Sequence, residues 1–173
     1  MDAIECMRGR RSVRKYLDVP VEWDKVATIL DCGRLAPSAG NVQNWKFIVV
    51  GEKGTKEALA QACVQQLWIG NAPVVIVIVS EPEKCKRYYG VRGERLYSVQ
   101  NCAAAAQNML NAAHALGLGG CWVGAFDPEE ARKVLKIPDE LEPIAFTPLG
   151  YPDDQPRDKI RKPIEEIIRY DIL

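Results

Sequence analysis

Six consecutive residues, Val74-Val75-Ile76-Val77-Ile78-Val79, constrain this chain more than any other segment. All are β-branched and apolar, which favours an extended backbone. Side chains of a strand alternate between its two faces, so a strand without a polar position has no face to offer to water. The segment therefore predicts a central strand, opened by Pro73 and covered on both sides. Even extended back to Ala72 it is far too short for a membrane span, which needs about 20 apolar residues in a helix.

Partners for that strand are legible on either side. Trp45 to Val50 reads as a strand stopped at Gly51, and Ile144 to Leu149 as another. The glycine-bracketed stretch 119–126 reads as a further strand. Apolar residues at helical spacing predict helices over 2–9, 22–35 and 55–66, a long one over 95–116 ending at Gly117, a short one over 128–135 and a last turn or two over 163–170. Residues 81–94 are charged and read as a loop with a helical turn. The expected class is α+β, in one domain spanning 1–173. Within the long helix, Ala103 to Ala106 carry little bulk, which suits a central or subunit-interface helix.

Composition removes several function classes. The chain has 173 residues, with 23 basic and 23 acidic side chains, so no global positive field points to nucleic acid. The start, Met1-Asp2-Ala3-Ile4-Glu5, is acidic and lacks the apolar run of a secretory signal. Six cysteines lie scattered, without CxxC pairing or metal-ligand spacing. A reduced, cytoplasmic protein without membrane or nucleic-acid partners is the expectation. His114 is the only histidine and sits in an Ala-rich helix, so it reads as a packed side chain rather than as part of a Ser-His or Cys-His pair or a zinc site. With little protein-borne chemistry available, a cofactor that performs it is the better account.

Two segments suit such a cofactor. Arg10-Arg11-Ser12-Val13-Arg14 places three guanidinium groups and a hydroxyl within five residues. In an extended segment Arg10, Ser12 and Arg14 share one face, and arginine's planar fork suits phosphate. A solvated basic turn is the competing reading. Ala36-Pro37-Ser38-Ala39-Gly40-Asn41 leaves a helix and exposes amides, a hydroxyl and carboxamides that would suit a heterocycle edge, or simply connect helix to strand. Gln65-Gln66 would suit the same edge or be a plain exposed helix end, and Lys159-Ile160-Arg161 puts two cations on one side of an extended segment or is a solvent-exposed basic tail. The glycines of 117–124 do not form the GxGxxG dinucleotide fingerprint.

Together these pieces resemble the FMN-dependent nitroreductase family. The match runs from Arg10-Arg11-Ser12-Val13-Arg14 through Pro37-Ser38-Ala39-Gly40-Asn41-Val42-Gln43-Asn44-Trp45 and Gln66 to Asn71-Ala72-Pro73. It continues with Gln107-Asn108-Met109-Leu110, Gly117-Leu118-Gly119 and Leu149-Gly150-Tyr151-Pro152. The resemblance implies a three-layer fold with a mostly antiparallel central sheet flanked by helices. It implies a homodimer with FMN at the subunit interface and the long helix central to that interface. Arg10 and Ser12 would bind the FMN phosphate with Lys159 and Arg161, while Arg11 would help through its backbone. Arg14 would face the pyrimidine side of the flavin, where a fixed cation favours the reduced anionic form. Pro37, Ser38, Ala39 and Asn41 would line the ribityl chain and ring edge, and Gln65 or Gln66 would bond the pyrimidine. Val123, Gly124 and Ala125 would place backbone near N5.

The implied activity is NAD(P)H oxidation by ping-pong hydride transfer through FMN to nitroaromatic, quinone or related small-molecule acceptors. The same scaffold also suits a reductive dehalogenase, a flavin-consuming enzyme or a non-catalytic FMN store. Two departures stand out. Asn44 occupies a position usually held by proline, which predicts a less rigid loop, and 81–94 is short where other members carry a long helical excursion.

Overall fold

The computed structural model describes residues 1–154, 156 and 160–172. Helix α1 (Ala3–Gly9) starts from a capping box in which Asp2 accepts from the Ile4 and Glu5 amides and the Glu5 carboxylate accepts from the Asp2 amide. Helix α2 (Trp23–Arg34) follows, then a short 3-10 turn over Ala39–Asn41 and strand β1 (Trp45–Val50). Helix α3 (Lys53–Ala62) ends sooner than the sequence suggests. Val64 and Gln65 adopt left-handed backbone (φ 57° and 58°), which no helix can continue through.

Strand β2 (Val74–Ser80) is buried at every position, as its composition requires. It pairs antiparallel with β1 on one side and with a later strand on the other. Helix α4 (Pro82–Arg92) occupies the segment expected to be mostly loop. Proline at the first helical turn, ion pairs Lys84–Glu81 (3.0 Å) and Lys86–Glu94 (2.9 Å), and the buried Pro82 and Cys85 hold it in place. Its chain breaks at Gly90 (φ 58°) and passes through a π-type turn, Gly93–Tyr97, into the long helix α5 (Ser98–Ala115).

Strand β3 is only Gly119–Gly120, much shorter than the expected strand over 119–126. Beyond it the chain bends, and Val123 rejoins the sheet through a two-bond bridge to Phe146 (both 2.9 Å). Helix α6 (Pro128–Leu135) is capped by Asp127, strand β4 (Glu142–Gly150) closes the sheet, and a short helix α7 (Ile164–Ile167) lies near the end. The sheet order is β1-β2-β4-β3, with every strand pair antiparallel.

Alternation along β2 builds the three layers. Val75, Val77 and Val79 pack with Leu59, Ile69, Ala131 and Phe146 on one face. Ile76 and Ile78 pack with Ile29, Cys102, Ala106 and Met109 on the other. Each buried aliphatic side chain contributes roughly 1.5–3 kcal/mol relative to exposure, so β2 anchors both cores. Helix α5 crosses the sheet from the β1 edge, where Ser98 accepts from Asn44, to the β3 edge, where Leu110 lies beside Gly120. That traverse decides where the candidate site residues lie.

Candidate functional site

The basic segment after α1 runs along the β3 edge. Ser12 bridges Gly120 in parallel sense, and the Val13 amide donates to the Gly120 carbonyl (3.1 Å). Gly119 permits this approach, because a Cβ there would come within 2.6 Å of the Val13 side chain. Val13 is buried, so the alternate positions face outward. Burial pushes the Cys121 thiol up, opposed by the charge of Arg14, the Ser12 side chain and the charge of Arg10. Arg10, Ser12 and Arg14 are thus the alternate positions of this edge segment, with Arg10 at one cavity and Arg14 at another.

Arg14 reaches across Trp68, with its guanidinium 5.8 Å from the ring centroid. It also lines a cavity of about 670 Å³ with Lys15, Lys56 and Asn71. Lys56 is buried and donates to the carbonyls of Ala72 (2.7 Å) and Pro73 (3.2 Å), fixing the entry to β2, and burial holds its amine below the usual range. Arg11 donates to the carbonyls of Arg8 (2.5 Å) and Arg10 (3.0 Å), which curls the chain into the clamp.

A second cavity, about 490 Å³, opens beside the clamp between Arg10, Arg11, His114, Gly119 and Asp154. His114, which the sequence alone presents as a packed side chain, is half-buried and lines this cavity. Burial first, then the charges of Arg10 and Arg11, hold its imidazole below the ordinary histidine range.

The two glutamines separate. Gln66 donates to the carbonyls of Cys63 (2.9 Å) and Ala125 (3.2 Å), which brings it to the 123–125 segment. Gln65, turned by its left-handed backbone, lines a different cavity with Gln61, Asp127 and Glu130. The Val123 amide and carbonyl are both spent on Phe146, whereas Gly124 and Ala125 are exposed. Of that trio, Gly124 and Ala125 hold the accessible backbone.

The Pro37–Asn41 loop lies elsewhere, at the β1 end of α5. The Ala39 amide donates to Asn101 Oδ1 (3.0 Å), and Ser38 Oγ accepts from the Gln43 amide (3.1 Å). Pro37 and Asn41 are exposed, and Asn41 lines a cavity of about 380 Å³ with Lys84, Arg87 and Tyr88. Asn44, expected to loosen this loop, instead locks it. It is fully buried, donates to Ser80 Oγ (2.9 Å) and to the Ser98 carbonyl (3.1 Å), and accepts from Asn101 Nδ2 (2.7 Å). A carboxamide provides the rigidity that a proline ring would have given.

Arg161 is exposed, just before helix α7, and Lys159 lies outside the described residues. Pro152 and Asp154 line the cavity beside Arg10. Among the described residues there is no cluster of three or more His, Cys, Asp or Glu suited to a metal. None of their helices is long and apolar enough to cross a membrane.

Residues 7–151 match the Nitroreductase family, so the chain belongs to that family. A putative NADH dehydrogenase/NAD(P)H nitroreductase of Methanothermobacter thermautotrophicus is 35% identical over 162 residues, covering 90% of this chain and 80% of its own. A nitroreductase family protein of Clostridium difficile, whose crystal structure is known, is 31% identical with a TM-score of 0.88, each chain being fully covered. An FMN-dependent nitroreductase from the same species is 28% identical with a TM-score of 0.85, covering 98% of this chain and 99% of its own.

Proposed function

We propose that this protein is an FMN-dependent NAD(P)H oxidoreductase of the nitroreductase type. The observation that carries the reading is the edge segment in which Ser12 bridges Gly120 with Arg10 and Arg14 two residues to either side, next to a cavity that Arg10 lines and that is large enough for a phosphate. The donor set fits FMN. Guanidinium and hydroxyl groups suit the phosphate, and the planar Arg14–Trp68 pair suits the edge of a flat ring. Gln66 Oε1 has no hydrogen-bond partner among the described residues, which leaves it open to accept from a pyrimidine N–H.

When bound, FMN would supply the hydride chemistry, taking hydride from NAD(P)H and passing electrons to a nitroaromatic, quinone or related acceptor in alternating half-reactions. The chain's own residues bind and orient. Arg10, Ser12 and Arg161, with Lys159, hold the phosphate, and Arg11 shapes the turn through its carbonyl contacts. Arg14 places a fixed positive charge against the pyrimidine side, where it favours added negative charge. Gly124 and Ala125 offer backbone without bulk near the reacting edge, while Gln66 pins Ala125 in place.

A second copy completes the site in this reading. Asn101, which holds Ala39, and Leu110, beside Gly120, lie nine residues apart on α5, about 13 Å along the axis. The Pro37–Asn41 loop and the clamp thus occupy opposite ends of one helix. Packing α5 against its copy would set one chain's loop beside the other's clamp. The apolar groove of about 310 Å³ between Cys6, Cys32, Leu35 and Ala112, with Leu35 63% exposed, supports such a partner.

The test is the cofactor itself. The purified protein is expected to be yellow and to release FMN on denaturation. Each charge-assisted hydrogen bond contributes roughly 1.5–3 kcal/mol, so Arg10→Ala with Arg161→Ala should weaken FMN binding about a hundredfold or more, with unfolding unchanged. A colourless protein that takes up no added FMN, or a double variant with unaltered affinity, refutes the reading.

A further inference from the structure

We propose that His114 is a further residue of the phosphate site, taking up a proton when a phosphate dianion docks beside Arg10. The inference rests on the FMN reading above. His114 lies in the last turn of α5 and lines the same cavity as Arg10, Arg11 and Asp154. Its ring lies against the backbone that leads into the clamp, since a Cβ added at Gly9 would come within 2.9 Å of Nε2. Neither ring nitrogen has a hydrogen-bond partner among the described residues. The imidazole therefore has an unused donor or acceptor beside an anion clamp, and its helix, with only Gln107, Asn108 and Asn111 in the preceding turns, supplies no ionisable neighbour.

The charges around it settle its state. Arg10 and Arg11 face it from the clamp and disfavour the imidazolium. Asp154 lines the same cavity, and Cys6, the ionisable group that α1 buries against α5, is a thiol engaged with the Asn111 carbonyl (3.2 Å). Strand β3 brings only glycines. Burial and the arginines hold the imidazole below the ordinary histidine range, which favours its neutral form while the clamp is empty. A phosphate dianion reverses the balance by adding two negative charges where the guanidinium groups dominated. The unprotonated ring nitrogen then takes a proton from solvent, and the imidazolium can donate to a phosphate oxygen. No bond other than N–H forms, and no electron moves.

The sign follows from linkage. A histidine whose pKa is higher in the loaded protein than in the empty one makes phosphate binding tighter as pH falls through the interval between the two values. The gain ends where the phosphate loses its second charge, at about pH 6. Riboflavin has no phosphate and should show no such dependence.

The chain contains a single histidine, so its ring C–H resonance needs no assignment. We would follow that resonance against pH in FMN-free protein, with FMN, with inorganic phosphate and with riboflavin. The expected result is a midpoint below the ordinary histidine range in free protein. FMN and phosphate should each raise it by about one pH unit, and riboflavin should leave it unmoved. Calorimetry in two buffers should show proton uptake on FMN binding that His114→Gln abolishes. A flavin spectrum proving bound FMN together with an unmoved midpoint overturns the role of His114 and leaves the FMN reading intact. Failure to bind FMN overturns that reading instead. The inorganic phosphate arm then decides for His114: a raised midpoint sustains the phosphate site and an unmoved one refutes it.

Discussion

Asn101 shows what one buried polar side chain can hold together. Its Oδ1 accepts from the Ala39 amide while its Nδ2 donates to Asn44 (2.7 Å), which donates onward to Ser80 and to the Ser98 carbonyl. Removing one member leaves buried partners unpaired, which costs about 1–3 kcal/mol. Asn101→Ala should therefore lower stability by that amount in denaturant unfolding and free the Ala39 amide, seen as faster hydrogen exchange there. Undiminished exchange protection at Ala39 would contradict the account. At this scale the sequence was partly legible. Period-two spacing is legible around Ser12, because a segment bridged to the sheet edge obeys that geometry. The choice between Gln65 and Gln66 could not be read, because it turns on left-handed backbone at Val64 and Gln65 that neither residue type favours. Asn44 was misjudged because its worth lies entirely in partners distant in sequence.

Elements that bury a whole face announce themselves, and the others do not. Strand β2 was legible because both its faces are core, and α5 because Cys102, Ala106, Met109 and Ala113 recur at helical spacing. Helix α4 buries only Pro82 and Cys85 and is otherwise charged and aromatic, so its periodicity is weak. The expected long strand after Gly117 shrank to Gly119–Gly120 because the chain bends out of register before Val123 returns to Phe146. The joint between α4 and α5 is close-packed. A Cβ at Gly93 would meet the Cys85 carbonyl oxygen at 2.3 Å, and that backbone cannot step aside cheaply. Gly93→Ala should thus destabilise the protein by about 1–3 kcal/mol, measured by thermal or denaturant unfolding. A variant as stable as the parent would show that the π-type turn is not tightly packed.

Across the whole molecule, the fold separates what the proposed function must unite. A sheet buried on both faces carries the arginine clamp at its β3 edge, and α5 holds the Pro37–Asn41 loop at the opposite edge. The resemblance named both as parts of one pocket, and no reading of one chain could show that they lie apart. That distance is a property of tertiary structure, set by the direction in which α5 crosses the sheet. It makes a second copy part of the proposed site rather than an accessory to it. The central claim is that this architecture binds FMN and delivers hydride to it from a nicotinamide. It is tested most directly by the visible spectrum of the FMN-loaded protein under anaerobic conditions, before and after excess NADH or NADPH. The account predicts that at least one of them bleaches the oxidised-flavin band and that an added quinone or nitroaromatic restores it. A flavin band that persists with both donors would contradict it and leave a protein that binds FMN without using it.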